Sequence, residues 1–153
     1  MSKTFLVSDT HFGHNNICKF LRNDEKKLRP WDNSDEMDKA MISNWNAVVK
    51  PEDRVYHTGG AVINRKPLPI FHHLNGRKVL IKGNHDIFKL KDYLPYFDDI
   101  RAYVVKKTKD GGKLIFSHIP LHPSSLGRFG KNVHGHLHSN VLDDPNYLNV
   151  SVE

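Results

Sequence analysis

Cysteine is nearly absent from this chain: one residue in 153. That excludes a disulfide-built scaffold and a closed structural zinc site made of thiolates. No apolar run approaches the length that spans a bilayer, and the opening MSKTFLVSDTHFGH reaches Asp9 after a very short apolar stretch. Neither a signal peptide nor a membrane anchor is expected, and a cytoplasmic setting is the default expectation. No block of five or six like charges occurs, although 23 Lys+Arg against 17 Asp+Glu leave a net charge of +6. The positive balance favours phosphate-bearing partners only in a general way. There is no GxxxxGK[ST] loop and no GxSxG elbow, so P-loop nucleotide chemistry and a serine nucleophile are both unsupported. Internal repeats, linkers and low-complexity segments are also missing. With 38% apolar residues the chain can bury a core, and residues 1–153 are expected to form one domain.

What the sequence does have is histidine, 11 residues in all. Eight of them, His11, His14, His57, His85, His118, His134, His136 and His138, fall at or just after short apolar runs. The runs 4–7, 54–56, 78–81 and 113–116 are short and rich in β-branched or aromatic residues, which predicts buried strands. Asn33-Ser34-Asp35-Glu36 followed by Met37, Met41, Ile42, Trp45 and Val48 predicts a capped amphipathic helix that Pro51 ends. Shorter helices are expected over 67–74 and 87–94, a hairpin over 100–107 and 113–117 around Asp110-Gly111-Gly112, and an alternating strand over 147–152. The fold class is therefore α/β, a sandwich with a mixed sheet. In such folds ligands gather beyond the carboxyl ends of strands, and here each apolar run hands over to a polar motif.

Asp9-x-His11 can chelate a metal through a carboxylate oxygen and an imidazole nitrogen, or be a solvated loop carboxylate beside a packed ring. His134-Gly135-His136-Leu137-His138 sets three imidazoles at alternate positions, which suits metal binding better than a core, where each ring nitrogen needs its own partner. Gly83-Asn84-His85-Asp86 places an amide oxygen beside a titratable ring, and it also reads as an ordinary turn after a strand. His118 alone would be either a ligand or a satisfied core residue. Oxygen and imidazole donors suit Mn²⁺, Fe, Ni²⁺ or Zn²⁺. Six or more of them are too many for one ion, whereas two ions about 3.5 to 4 Å apart can grip a phosphate from both sides.

The four blocks Asp9-x-His11, Gly83-Asn84-His85-Asp86, Ser117-His118 and Gly135-His136-x-His138, in this order, resemble the calcineurin-like metallophosphoesterase family over nearly the whole chain. The resemblance implies a mixed β-sandwich flanked by helices and a dinuclear centre, Mn²⁺ first among the candidate ions. A phosphodiester, with a nucleotide as one candidate, would be hydrolysed by direct attack of a metal-bound hydroxide; phosphomonoester hydrolysis is the alternative. It further implies that Asp9, His11 and His138 hold the first ion and that Asn84, His118 and His136 hold the second. His85 would contact the scissile phosphate with Asn84 and assist the leaving oxygen, and His14 resembles an extension of small members, with contact to substrate, support of a ligand or ordinary packing at a helix start as its alternative roles. One position departs: Gly60 stands where the family's bridging Asp belongs, and neither Asp53 nor Asp86 is placed by the motif to replace it. A glycine there removes a negative charge from between two dications, so an impaired second ion is expected.

No obligatory protein partner is evident from the sequence. The competing class is a non-catalytic metal- and phosphate-binding module. In it Arg22, Lys26, Lys27, Arg29, Arg65, Lys66, Arg128 and Lys131 would frame a basic rim, and Trp31 and Phe129 would stack on a base.

Overall fold

The computed structural model describes residues 1–153. Strands β1 (Thr4–Val7), β2 (Arg54–His57), β3 (Arg77–Ile81) and β4 (Asp99–Arg101) form one wholly parallel sheet in that order. Strands β5 (Val104–Lys107), β6 (Lys113–Phe116), β7 (Lys131–His134) and β8 (Tyr147–Asn149) form a second, mixed sheet: β5 and β6 are an antiparallel hairpin, and β7 and β8 add in parallel. Helix α1 (Ser34–Val48) is the long helix; α2 (Leu90–Tyr93) and α3 (Leu126–Phe129) are single turns.

The period-2 alternation of the strands sorts two cores. Val55 and Leu80 face a layer containing Met37, Met41, Trp45 and Phe71, while Tyr56, Val79 and Ile81 face Phe116 and Val133 of the second sheet. The first layer is helix on sheet, and the second is sheet on sheet. Helix α1 begins where the sequence predicts, because the Asn33 side chain accepts from Glu36 N at 3.0 Å. At its far end the Trp45 indole donates to Asn75 O at 2.9 Å, which ties the helix to the approach to β3.

The short helix expected over 67–74 is present as a 3-10 helix, Leu68–His73, since prolines at 67 and 69 withhold two backbone donors over so short a span. Two other expectations differ. The helix expected over 87–94 contracts to the turn of α2, with Ile87, Leu90 and Leu94 left exposed. The expected strand over 100–107 is broken at Ala102-Tyr103, so that β4 closes the first sheet and β5 opens the second. The two sheets also meet at a second place: Ser8 N donates to Val150 O at 2.9 Å and Ser8 bridges Ser151, which joins the end of β1 to the end of β8.

Phe71 is fully buried among Phe12, His57 and Phe97, with ring centroids at 5.4, 5.7 and 4.7 Å. Phe71→Ala is expected to cost about 3–5 kcal/mol in urea unfolding; a loss below about 1 kcal/mol would mean that this layer collapses to fill the gap.

Candidate metal centre

Five strands, β1, β2, β3, β6 and β7, end at one rim, and the motifs of the sequence follow them there. Asp9, His11 and His138 each offer a ligand atom within 4.8 Å of the others. Beside them Asn84 Oδ1 lies 2.7 Å from His118 Nε2, which lies 3.3 Å from His136 Nδ1. His85 is exposed, with its ring 5.7 Å from that of His11, and half-buried His14 lies 6.0 Å from the same ring. All eight site residues expected from the sequence therefore share this rim.

The backbone is bent to make this possible. Of five non-glycine residues with positive φ, four are Asp9 (+57°), His11 (+47°), His136 (+68°) and His138 (+51°). Side chains rarely adopt this region, and clustering there is typical of residues held for function. Glycines supply the room: a Cβ on Gly83 would sit 2.7 Å from the His118 ring, and one on Gly135 would overlap Ser8 Oγ and Asp9 Oδ2.

The hydrogen-bond accounting of the rings fits a cation. His118 Nδ1 lies 2.8 Å from Thr58 O, a pure acceptor, so Nδ1 carries the proton and Nε2 presents a lone pair. Burial holds the His118 pKa below its ordinary value, so the ring is neutral and Nε2 faces Asn84 Oδ1, acceptor against acceptor. A shared positive ion resolves that opposition. His11 is buried with neither ring nitrogen hydrogen-bonded, and burial depresses its pKa as well. Burial alone would raise the Asp9 pKa, but His11, His118, Ser8 and the His136 N–H together hold it far below the carboxylate range. The donor set is thus one anionic oxygen, one amide oxygen and four imidazoles, which suits divalent transition ions.

Gly60 faces this centre. A Cβ built on it would lie 2.5 Å from Asp9 Oδ1 and 3.1 Å from His11 Nε2, so a side chain at 60 would project between the ligands. Asp86 does not substitute for it. Its buried carboxylate accepts from Gly60 N (2.8 Å), Ala61 N (3.1 Å) and Gly83 N (2.8 Å), clamping the loops after β2 and β3 together.

Two residues that sequence reasoning left out of the site complete it. The Glu153 side chain, 2% exposed, lies 2.9 Å from His138 Nδ1 and accepts from Arg29 at 2.8 and 3.0 Å. Glu153 fixes the proton on His138 Nδ1 and so frees Nε2 for a ligand role. Although burial opposes it, this partner raises the His138 pKa. Arg29, expected on a basic rim, is instead 1% exposed and also donates to the backbone carbonyls of Asp9 and Thr10. Trp31, expected to stack on a base, packs against the helix-side core.

His57 and His134 are fully buried supports. His57 Nδ1 accepts from Gly59 N at 3.2 Å, and Nε2 donates to Thr10 Oγ1 at 2.9 Å. His134 pairs with Gly135 O at 2.8 Å and packs on Tyr147.

The fold and site define a two-sheet α/β protein with a histidine-rich centre at the strand ends. No protein-family model matches the sequence. The uncharacterized protein MJ1445 of Methanocaldococcus jannaschii is 35% identical over 153 residues, which cover 97% of this chain and 77% of that protein. The chain belongs to the same family as this archaeal protein. A solved structure described as a protein of unknown function, AQ665 from Aquifex aeolicus, superposes with a TM-score of 0.73 and 28% identity, covering 97% of this chain and 89% of that one. Vacuolar Protein Sorting 29 from Cryptosporidium parvum overlaps at a TM-score of 0.48 and 17% identity over 95% of this chain and 72% of that one, too loosely to define a fold. No helix is long and apolar enough to cross a membrane.

Glu153→Gln is expected to weaken Mn²⁺ binding by about 10- to 100-fold in calorimetric titration with an unchanged far-UV spectrum; unchanged affinity would reduce Glu153 to packing. Burial pushes the His57 pKa from 6.5 down to about 4. Between those values the unfolded chain takes up a proton that the folded ring refuses, so stability is lost as pH falls through this window. The urea midpoint should drop from pH 6.5 to 4, and less steeply in His57→Gln.

Proposed function

We propose that this protein is a metal-dependent phosphoric ester hydrolase of the calcineurin-like kind, acting on phosphodiesters, with Mn²⁺ first among the candidate ions and the second ion held weakly. The observation that supports this most is the approach of Asn84 Oδ1 to His118 Nε2, acceptor against acceptor with His136 alongside, beside a second group of donors at Asp9, His11 and His138. Divalent cations bound there would acidify a coordinated water and offset the charge of a phosphate. Asp9, His11 and His138 hold the first ion, and Asn84, His118 and His136 hold the second. His85, exposed beside His11, is the side chain free to contact the phosphate and to give a proton to the leaving oxygen. His14 lines the same approach. Gly60 supplies no carboxylate between the two groups, and activity is accordingly low.

The test is hydrolysis of bis(p-nitrophenyl) phosphate and p-nitrophenyl phosphate by the protein, by Gly60→Asp and by His136→Ala, each with Mn²⁺ and with chelator. The φ of Gly60 is +67°, which Asp tolerates better than most side chains, while Asp9 Oδ1 must shift to admit it. Slow Mn²⁺-dependent turnover is expected, faster on the diester. Gly60→Asp should raise it at least tenfold, and His136→Ala should abolish it with the fold intact. Higher turnover of the monoester would make the protein a phosphomonoesterase. Absence of turnover in both the parent and Gly60→Asp, with Mn²⁺ bound, would leave a non-catalytic module that binds metal and phosphate.

A further inference from the structure

Asn84 and His118 face two ways: besides closing the metal centre they line a cleft of about 570 Å³ that runs between the two sheets. This volume lies in the range of small-molecule sites. Its other walls come from separate elements. Tyr103 stands at the break between β4 and β5, Ile119 and Leu121 lie on the loop after β6, and Phe129 ends α3. Tyr103 and Ile119 are 55% and 53% exposed, an apolar edge left open to water beside a polar centre. The rings of Tyr103 and Phe129 approach to 6.5 Å at a tilt of 59°, so the two do not stack flat on each other and a ring face stays open. Lys82 adds a cation to the same wall.

The cleft is built rather than incidental. Fully buried Asn132 donates to Ser117 Oγ (2.9 Å) and accepts from Leu121 N (2.8 Å), and the Tyr147 hydroxyl donates to Leu121 O (2.6 Å). Ser117 Oγ in turn donates to Ile119 O at 2.7 Å. The loop carrying Ile119 and Leu121 is thereby pinned to β7 and β8. At α3, Gly130 turns the chain at φ +78°, where any Cβ would overlap Lys113 O, and this fixes where Phe129 is presented.

We infer that this cleft receives the base of a nucleotide whose phosphate lies at Asn84 and His118. The inference rests on the phosphoesterase reading for the phosphate and on the cleft alone for the base. Aromatic faces, an apolar floor and a nearby ammonium are the means by which proteins hold bases without reading their sequence. Walls contributed by Tyr103 and Phe129 select a flat ring over an alkyl ester.

The test is calorimetric titration of the full chain with AMP, ribose 5-phosphate and inorganic phosphate, each in Mn²⁺ and in chelator. AMP is expected to bind about tenfold more tightly than ribose 5-phosphate, an advantage that Phe129→Leu and Tyr103→Ala each reduce severalfold while phosphate binding stays the same. Both side chains reach solvent, so the variants should fold. Chelator should weaken AMP, ribose 5-phosphate and phosphate alike and leave the ratio between the first two. Equal affinity for AMP and ribose 5-phosphate, or an advantage untouched in both variants, overturns the cleft assignment while leaving Mn²⁺-dependent turnover as it stands. An AMP advantage retained without any turnover overturns the hydrolase reading and keeps the cleft.

Discussion

Everything at the rim depends on holding the Asp9 carboxylate, as an anion, at the seam between the two sheets. Its Oδ2 accepts from His136 N (2.7 Å) and Ser151 Oγ (3.0 Å), and its backbone N–H is taken by Gly59 O at 2.8 Å. One residue after β1 thus contacts the turns after β2, β7 and β8. A buried carboxylate without such donors would be protonated or displaced, and the ionised form survives only because N–H and O–H groups replace water around it. The Arg29 guanidinium completes this by binding the carbonyl of Asp9 and placing Glu153 against His138. A cation and an anion buried together on either side of the seam lend it rigidity that neither sheet supplies alone.

Around that anion the chain assembles imidazole rings oriented by their outer partners. Thr58 O and Glu153 each accept a hydrogen bond from the Nδ1 of a histidine, so that the opposite nitrogen faces the centre. The arrangement is unfavourable without a positive charge, which is why the burial of His11 and the opposition of Asn84 to His118 carry more meaning than the number of histidines. Gly59, Gly83 and Gly135 serve the same end from the backbone, since each leaves space that a Cβ would fill.

The convergence of the candidate ligand residues was legible in the sequence because the types that can hold metals are rare at the ends of apolar strands, and Asp9, Asn84, His118, His136 and His138 are all found there. Helix α1 was legible through its cap and its spacing. Arg29 and Glu153 were not: the residues are separated by 124 positions, and a lone arginine in a basic stretch looks solvated until its partner is known. Asp86 was visible as a letter beside His85, but its task of clamping three backbone N–H groups belongs to the packing of two loops. The break at Ala102-Tyr103 was misread because strand spacing in a short window says nothing about which sheet a segment joins. That break is consequential, since it places Tyr103 on the wall of the cleft.

The contacts of Asp9 with His136 and Ser151 span 127 and 142 positions, among the longest separations in the chain. No local fragment, and neither sheet by itself, contains a full set of donors. A chain caught midway through folding can therefore offer a stray cation only one or two loose ligands, and tight capture of a metal would be a signature of the finished molecule. Selective uptake by the native state would also lend it stability that grows with the free metal around it, so that a bound ion would report completed assembly.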